Sequence, residues 1–325
     1  MNQLPFLSVS MITYQAEAFI AEAIEGVLNQ QADFPIELVI GDDCSKDRTR
    51  AICAAYAEKY PDIIRVLPPE SNLGIAANTA RTMGQCCGKY IAVCDGDDIW
   101  TDPCKLQKQV AFLERNPDYG AVYTDVETIA ETGAPIHDPE QEQIRAMYTG
   151  GDVFFKLLEA NFINNSTAVF RRELIADHVV YPDRTYQIPD HIRWLHIATK
   201  ARIHFMDYKS AAYRKHQSGL SVQVPKEKIK GNRSILRRSL YNIILTFHRH
   251  HRGHRLNREE QTLVFRRMCS VAFRPHGNSW QQRWQIIRLL PKYFPGLMGL
   301  WKIAQAKLTT FFFSSFKTML LPDYW

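Results

Sequence analysis

Two short apolar runs in the first hundred residues stop abruptly at acids: "IELVIGDD" (36–43) and "KYIAVCDGDD" (89–98). An unalternating apolar run of strand length is what a strand buried on both faces looks like, and such strands belong to parallel sheets. Helical spacing fills the intervals. "LSVSMITY" (7–14) is β-rich, and "AEAFIAEAIEGVLNQ" (16–30) repeats Phe19, Ile20, Ile24, Val27 and Leu28 along one helical face. "SKDRTRAICAAYAEKYP" follows the second strand, with Ser45 or Asp47 as candidate N-caps and Pro61 past the end. "IIRVLPP", the helical "IAANTARTMGQCCG" and the helical "KLQKQVAFLERNP" continue the rhythm. Strand and helix in strict alternation predict an α/β fold whose parallel strands are joined by right-handed crossovers.

Beyond "GAVYTDVETI" (120–129) the rhythm loosens. Residues 130–150 are polar with Gly and Pro and read as a loop or mobile flap. "GDVFFKLLEANFI" is helical, "STAVFRREL" is strand-like, and "DHIRWLHIATKA" (190–201) is a helix opened by an aspartate. From about residue 223 the pattern is helical and basic, with short helices expected to break at Gly253, Pro275, Pro291, Pro295 and Pro322. The length of 325 residues accommodates one large domain with an appendage, or two ordinary domains.

Apolar content of 46% excludes a disordered chain. The seven cysteines are an odd number and form no CxxC pair, so neither a zinc knuckle nor a disulfide framework is expected. "MNQLPFLSVSMI" lacks the basic start of a signal peptide, and a reducing cytosolic setting is the expectation. The net charge of +6 hides a division: residues 1–200 carry 17 Lys and Arg against 29 Asp and Glu, a net −12, and residues 201–325 carry 23 against 5, a net +18. A basic second half points to an anionic partner, membrane lipid or nucleic acid.

In open parallel sheets, ligands bind at the C-terminal ends of the strands. Three strands here end in candidate ligand groups: Thr13-Tyr14, Asp42-Asp43 and Asp95-Gly96-Asp97-Asp98. If the strands are neighbours, these tips share one crevice. Hard oxygen ligands there suit Mg²⁺ or Mn²⁺ carrying a phosphate, the alternative being a solvated acidic turn. No GxGxxG follows the first strand, which disfavours a dehydrogenase.

Four motifs in order, "VSMITYQAEAFIAEAIEGVLNQ", "ELVIGDDCSKDRT", "NLGIAANTAR" and "GKYIAVCDGDDIW", resemble the family 2 inverting glycosyltransferases of the GT-A fold. The resemblance covers residues 5 to about 220 and is tightest through residue 105. It implies a Rossmann-like, mostly parallel sheet flanked by helices, with a catalytic domain over 1–222 and a basic helical extension over 223–325. It also implies roles. Thr13 and Tyr14 would pack on the nucleotide base, and Asp43 would accept a hydrogen bond from it. Asn72, Gly74 and Asn78 would line the nucleotide crevice, with Arg81 a phosphate or base contact. The "DGDD" segment would be the DxD motif: Asp95 and Gly96 at the ribose, with Asp95, Asp97 and Asp98 as candidate metal ligands for Mn²⁺ or Mg²⁺.

Inverting transfer also requires a base for the acceptor hydroxyl, separate from the metal cluster. Asp190 matches the family's catalytic aspartate at a helix start, with His191 and Glu159 as weaker candidates; an ordinary N-cap is the other reading of Asp190. "AYRKHQSGLS" (212–221) resembles the segment that closes such domains, so His216 is a candidate third metal ligand, or with Arg214 and Ser221 a cover for the leaving phosphates.

The basic segment interleaves aromatic and apolar residues with Arg and Lys, and its uncharged stretches fall short of the roughly 18–20 residues that span a bilayer. An interfacial amphipathic region on an anionic membrane surface fits this pattern, as does a helical subdomain packed on the core. The expectation is a nucleotide-diphospho-sugar transferase, UDP-linked, on the cytosolic face of the inner membrane. Its acceptor would be a glycan or polyprenyl-linked saccharide of envelope polysaccharide assembly, with no nucleic acid involved. The rivals are a sugar nucleotidyltransferase, whose Gly-rich basic loop is missing from "TYQAEAF", and a nucleic-acid-binding protein driven by the basic half.

Overall fold

The computed structural model describes residues 5–68, 71–175, 189–217, 219, 240–241, 244–245, 248, 256–273 and 279–294. The chain divides into two compact units, Met1–Lys226 and Glu227–Trp325, each described here by itself.

The first unit is built on β1 (Leu7–Thr13), β2 (Ile36–Asp42), β3 (Ile64–Val66), β4 (Tyr90–Val93), β5 (Ile99–Trp100), β6 (Tyr119–Ala130), β7 (Val169–Arg171) and β8 (Arg202–Lys215). Its helices are α1 (Ile20–Leu28), α2 (Thr49–Lys59), α3 (Ile75–Gly84), α4 (Lys105–Arg115), α5 (Pro139–Arg145), α6 (Phe154–Glu159) and α7 (Pro189–Ala198). The strands form one sheet in the order β3-β2-β1-β4-β7-β6-β8-β5. Pairs β2–β3, β1–β2, β1–β4 and β6–β8 are parallel, whereas β4–β7, β6–β7 and β5–β8 are antiparallel. The chain winds outward from β1 to β3, then returns through α3 to place β4 on the other side of β1. The winding therefore reverses between β1 and β4, where the strand tips open a crevice.

Burial follows the apolar runs. Leu7, Val9 and Met11 are sealed on one face of β1, and Ser8 and Ser10 are equally buried on the other. Ser8 is satisfied there, its hydroxyl donating to Glu37 at 2.5 Å and accepting from Gly88 N at 2.7 Å. Ile20, Ala23, Ile24 and Val27 of α1 face the sheet, as the periodicity predicts. A Cβ on Gly41 would collide with the Thr82 hydroxyl, so glycine lets α3 lie directly on β2.

The looser half differs from the sequence reading. Residues 130–150 hold a tight turn, with Ala130 N donating to Ala134 O and Ile136 N to Thr128 O. They also hold α5, capped by Asp138 accepting from Glu140 N. The strand-like "STAVFRREL" contracts to β7 between two single 3₁₀ turns. β8 and β5 were not foreseen.

In the second unit, α8 (Arg258–Phe273) and α9 (Trp280–Tyr293) bury Val264, Met268, Cys269 and Val271 together with Ile286, Ile287, Leu289 and Leu290. A capping box between Ser279 and Gln282 opens α9. The break expected at Pro291 does not occur: α9 continues through it to Tyr293. Gly253, Pro275, Pro295 and Pro322 lie outside the described residues. Among the described residues, no helix is long and apolar enough to cross a membrane.

Candidate active site

The tips of β1 and β2 lie side by side, Thr13 paired with Asp42, and both turn through left-handed backbone. Gln15 has φ 51° and Cys44 φ 61°, conformations that non-glycine residues adopt only where surrounding contacts impose them. The contacts are present. Ser45 Oγ accepts from Gln15 N at 2.8 Å and Thr49 Oγ1 from Ala16 N at 2.8 Å, while Asp47 Oδ2 accepts from Glu17 N at 3.2 Å. Asp47 also accepts from Thr49 N at the start of α2, and Asp42 accepts from Ser45 N and Oγ. Tyr14 stands at this corner 47% exposed.

Asp43 is buried beneath it, with Oδ1 accepting from Leu73 N at 2.7 Å and Oδ2 from Gly74 N at 2.9 Å. Asn72 Nδ2 donates to Asp43 O at 3.0 Å, so the "SNLG" turn is clasped by this one residue. Gly74 has φ 79°, which its neighbours could not adopt cheaply. Asn78 and Arg81 lie below the turn as struts. Asn78 Nδ2 donates to Gly41 O at 2.7 Å, and the Arg81 guanidinium donates to Pro68 O and Asp42 O at 3.0 Å each and to Asn78 Oδ1 at 2.9 Å. Most of their donors are thus engaged by backbone carbonyls of β2 and of the loop after β3, and by each other.

Across β1, the acidic loop closes on Thr13. A Cβ on Gly96 would lie 2.7 Å from Cβ and Oγ1 of Thr13, and Gly96 N donates to Ile12 O at 3.0 Å. Only glycine permits that approach. Thr13 Oγ1 is buried at this junction with no hydrogen-bond partner among the described residues.

The three aspartates then separate by environment. Asp98 points inward: it is 2% exposed, accepts from Ser166 Oγ at 2.5 Å and from Arg214 N at 3.1 Å, and burial pushes its pKa well above the usual range. Each of its two oxygens thus accepts one hydrogen bond from the surrounding fold. Asp95 accepts from Asn165 Nδ2 at 3.2 and 3.0 Å, and its backbone N donates to Ser166 Oγ at 3.1 Å. Burial, followed by the charge of Asp97, raises Asp95 to about 7, with Asn165 pulling the other way. Asp97 is the most open of the three, its side chain 36% exposed, and His216 Nε2 lies 3.0 Å from its Oδ2.

A metal centre has to be judged on this donor set. Among the described residues, no group of three or more His, Cys, Asp or Glu forms a metal cage. Mg²⁺ and Mn²⁺ bound with phosphates take only one or two protein carboxylates, so a protein cage is not required. The carboxylate of Asp97, with the imidazole of His216 beside it, could supply protein ligands to such an ion.

Asp190 sits in the first turn of α7, and its Oδ2 accepts from Asn161 Nδ2 at 2.7 Å. Its charge is felt at Asp95. His191 turns away, buried, with Nε2 2.6 Å from Leu157 O. Glu159 ends α6 on an exposed position. The buried Arg214 donates to Asp97 O at 3.1 Å and Glu131 O at 2.9 Å, pairs with Glu22 and lies 4.9 Å over the Phe19 ring. It braces the acidic loop rather than reaching for phosphates, and Ser221 lies outside the described residues.

The sequence reading overlooked Asn161, Asn165, Ser166 and Arg193. The signal available was "NFINNST", a polar run interrupting apolar sequence just before a strand. Ser166 alone joins Asp95 N, Asp98 and, through its carbonyl, Trp100 Nε1 at 2.7 Å.

Residues 8–179 match the glycosyl transferase family 2 profile. The chain belongs to that family. An uncharacterised protein of Mycobacterium bovis is 34% identical to this family 2 chain over 215 residues, 66% of the chain and 60% of the relative. The chain therefore spans about 60% of the length of that curated relative. Among solved structures, S. aureus TarS 1–349 in complex with UDP-GlcNAc superposes with a TM-score of 0.59 at 17% identity, over 88% of this chain and 80% of TarS. The mannosyltransferase PcManGT from Pyrobaculum calidifontis, in complex with GDP-Man and Mn²⁺, gives 0.54 at 17% identity over 98% and 84%. At these identities the likeness is one of fold, and that fold is the GT-A arrangement of family 2 glycosyltransferases.

Proposed function

We propose that this chain transfers a sugar, with inversion, from a nucleotide-diphospho-sugar to a hydroxyl of a glycan or lipid-linked glycan. The observation that carries the reading is the crevice at the β1/β4 reversal. Its acidic loop pairs Asp97 with His216, and Asp95 in the same loop feels the charge of a separate carboxylate, Asp190, which is held by Asn161. Family membership and the donors held by TarS and PcManGT support it.

Tyr14 offers a ring for the base, and the clasped Asp43 offers a fixed acceptor for a base N–H; a UDP-linked donor is the form proposed. Asp97 and His216 would hold Mn²⁺ or Mg²⁺, with Asp95 turned toward the ribose. When bound, the metal neutralises the diphosphate as it departs. Asp190 takes the proton of the acceptor hydroxyl while its oxygen bonds to the anomeric carbon. The bond from that carbon to the diphosphate oxygen breaks, and its electron pair leaves with the nucleoside diphosphate. Asn161, donating to Asp190 Oδ2, keeps that carboxylate oriented. We further propose a catalytic domain over 1–222 and a basic region over 223–325. The +18 of residues 201–325 supports a peripheral site on an anionic, cytosolic membrane face and an acceptor in envelope polysaccharide assembly.

The test is titration of UDP and GDP with and without Mn²⁺, followed by turnover of Asp190→Asn. Metal-dependent UDP binding retained in a variant that no longer transfers is expected. Full activity in Asp190→Asn would remove it as the base.

A further inference from the structure

We infer that the segment 161–165, closed by Arg193, is a clamp that fixes the spacing between Asp190 and the acidic loop. The inference rests on the proposed function. Two asparagines four positions apart on this segment grip the two sides of the site. Asn161 Nδ2 donates to Asp190 Oδ2 at 2.7 Å, and Asn165 Nδ2 donates to both oxygens of Asp95 at 3.2 and 3.0 Å. The remaining amide oxygen of Asn165 accepts from Arg193 Nη2, so both ends of that amide are committed. Arg193 lies on α7 three residues after Asp190, which brings both to one face of the helix. The ring closes from Asp190 through Asn161 and Asn165 to Arg193 and back along α7.

Arg193 is sealed in an aromatic slot, from which its charge favours the ionised form of Asp95. It is 2% exposed, lies 4.7 Å over the Trp194 ring and 5.5 Å over that of Phe170, and places Nη1 3.3 Å from Met83 Sδ. Its Nε has no hydrogen-bond partner among the described residues. Among the described residues it forms no ion pair with a carboxylate. A guanidinium buried in an aromatic slot is costly, and an apolar residue of similar volume would fill the slot at less cost. What the arginine adds is the hydrogen bond to Asn165, together with a positive charge that favours the Asp95 carboxylate. The clamp is also stiff beneath, since Asn164 Oδ1 accepts from Ser166 N at 3.0 Å and Ser166 is fastened to Asp98 and Trp100. Asn161, Asn165 and Arg193 are thus positioning residues: they set where the proposed base stands relative to the donor.

The test uses the full chain with Mn²⁺ and, as donors, UDP-glucose, UDP-N-acetylglucosamine and GDP-mannose. Nucleoside diphosphate release with water as acceptor is measured beside nucleotide affinity. Asn165→Ala, which leaves the arginine slot filled, is expected to lower kcat by about 10- to 100-fold with nucleotide Kd changed less than about threefold, the signature of lost orientation. Arg193→Lys, which can still donate to Asn165, should recover more kcat than Arg193→Met. A filler role predicts the reverse order, because methionine suits the aromatic slot better. Wild-type kcat in Asn165→Ala, or methionine matching lysine at position 193, overturns the clamp. If Arg193→Met melts too low to assay, Asn165→Ala alone decides. A wild-type protein that turns over none of these donors sinks the functional reading and the clamp with it, whereas an active wild type with an unaffected Asn165→Ala sinks only the clamp.

Discussion

His216 Nε2 lies 3.0 Å from Asp97 Oδ2 across 119 positions of chain. Asp97 follows β4 and His216 follows β8, so the pair exists only once the sheet is complete. Phe19 packs at 4.7 Å against the imidazole ring and fixes its plane.

His216→Ala is expected to weaken Mn²⁺-dependent UDP binding on the order of 10- to 100-fold, the range seen when metal ligation is disturbed. Metal-free nucleotide binding should be unchanged. Calorimetry in the presence and absence of Mn²⁺ checks this, and equal affinity for wild type and variant in both conditions would remove His216 from the site.

The neighbouring aspartates should fail in different ways. Asp98→Ala strips the acceptor from Ser166 Oγ and Arg214 N, and each orphaned buried donor costs about 1–3 kcal/mol. A melting temperature lowered by several degrees is expected. Asp97→Ala should melt near wild type, since that side chain is 36% exposed. Equal melting temperatures for the two variants would contradict the division of labour.

Gly96→Ala drives a methyl to 2.7 Å from the Thr13 side chain. Overpacking of this kind costs about 1–3 kcal/mol, and here the strain falls on the acidic loop itself. Reduced stability with weakened metal-dependent nucleotide binding is expected. A variant that melts and binds like wild type would mean that the loop has room to spare.

Lys105 gives a pH signature that does not involve the acidic loop. It is fully buried, its Nζ 4.4 Å from the Trp100 ring centroid and donating to Gln109 Oε1 at 2.8 Å, and burial lowers its pKa from 10.5 to about 7. Between those values the unfolded chain holds a proton that the folded chain has released, so stability rises with pH across the window. Below about 7 both states are protonated and the penalty is complete. Lys105→Met should therefore be more stable than wild type at pH 7, by a few kcal/mol at most, and the advantage should shrink toward pH 10. Denaturant unfolding at pH 7 and pH 9 reads the difference. A gap independent of pH would mean that Lys105 titrates normally.

The half of the fold that winds around β1 was legible because its strands are buried on both faces and end at functional turns. Leu38, Val39 and Ile40 announce β2 without help from any neighbour. β8 was not legible: its burial alternates irregularly through His204, Asp207 and Lys209, and its pairing with β6 is interrupted by register shifts. Sequence placed the acids of the site but not their orientations. Asp97 and Asp98 are adjacent and chemically identical, and only Ser166 and Arg214, far along the chain, decide which turns inward. The clamp asparagines carry no periodicity and gain meaning only from what folds against them.

The strand order also sets a timetable for synthesis. β5 pairs within this sheet only with β8, a strand made about a hundred residues later, and β7 arrives to fill the gap between β4 and β6. A nascent chain that has delivered the acidic loop still lacks its wall, its clamp and its histidine. The acidic loop can meet its histidine only after β8 has emerged from the ribosome and slotted between strands already made.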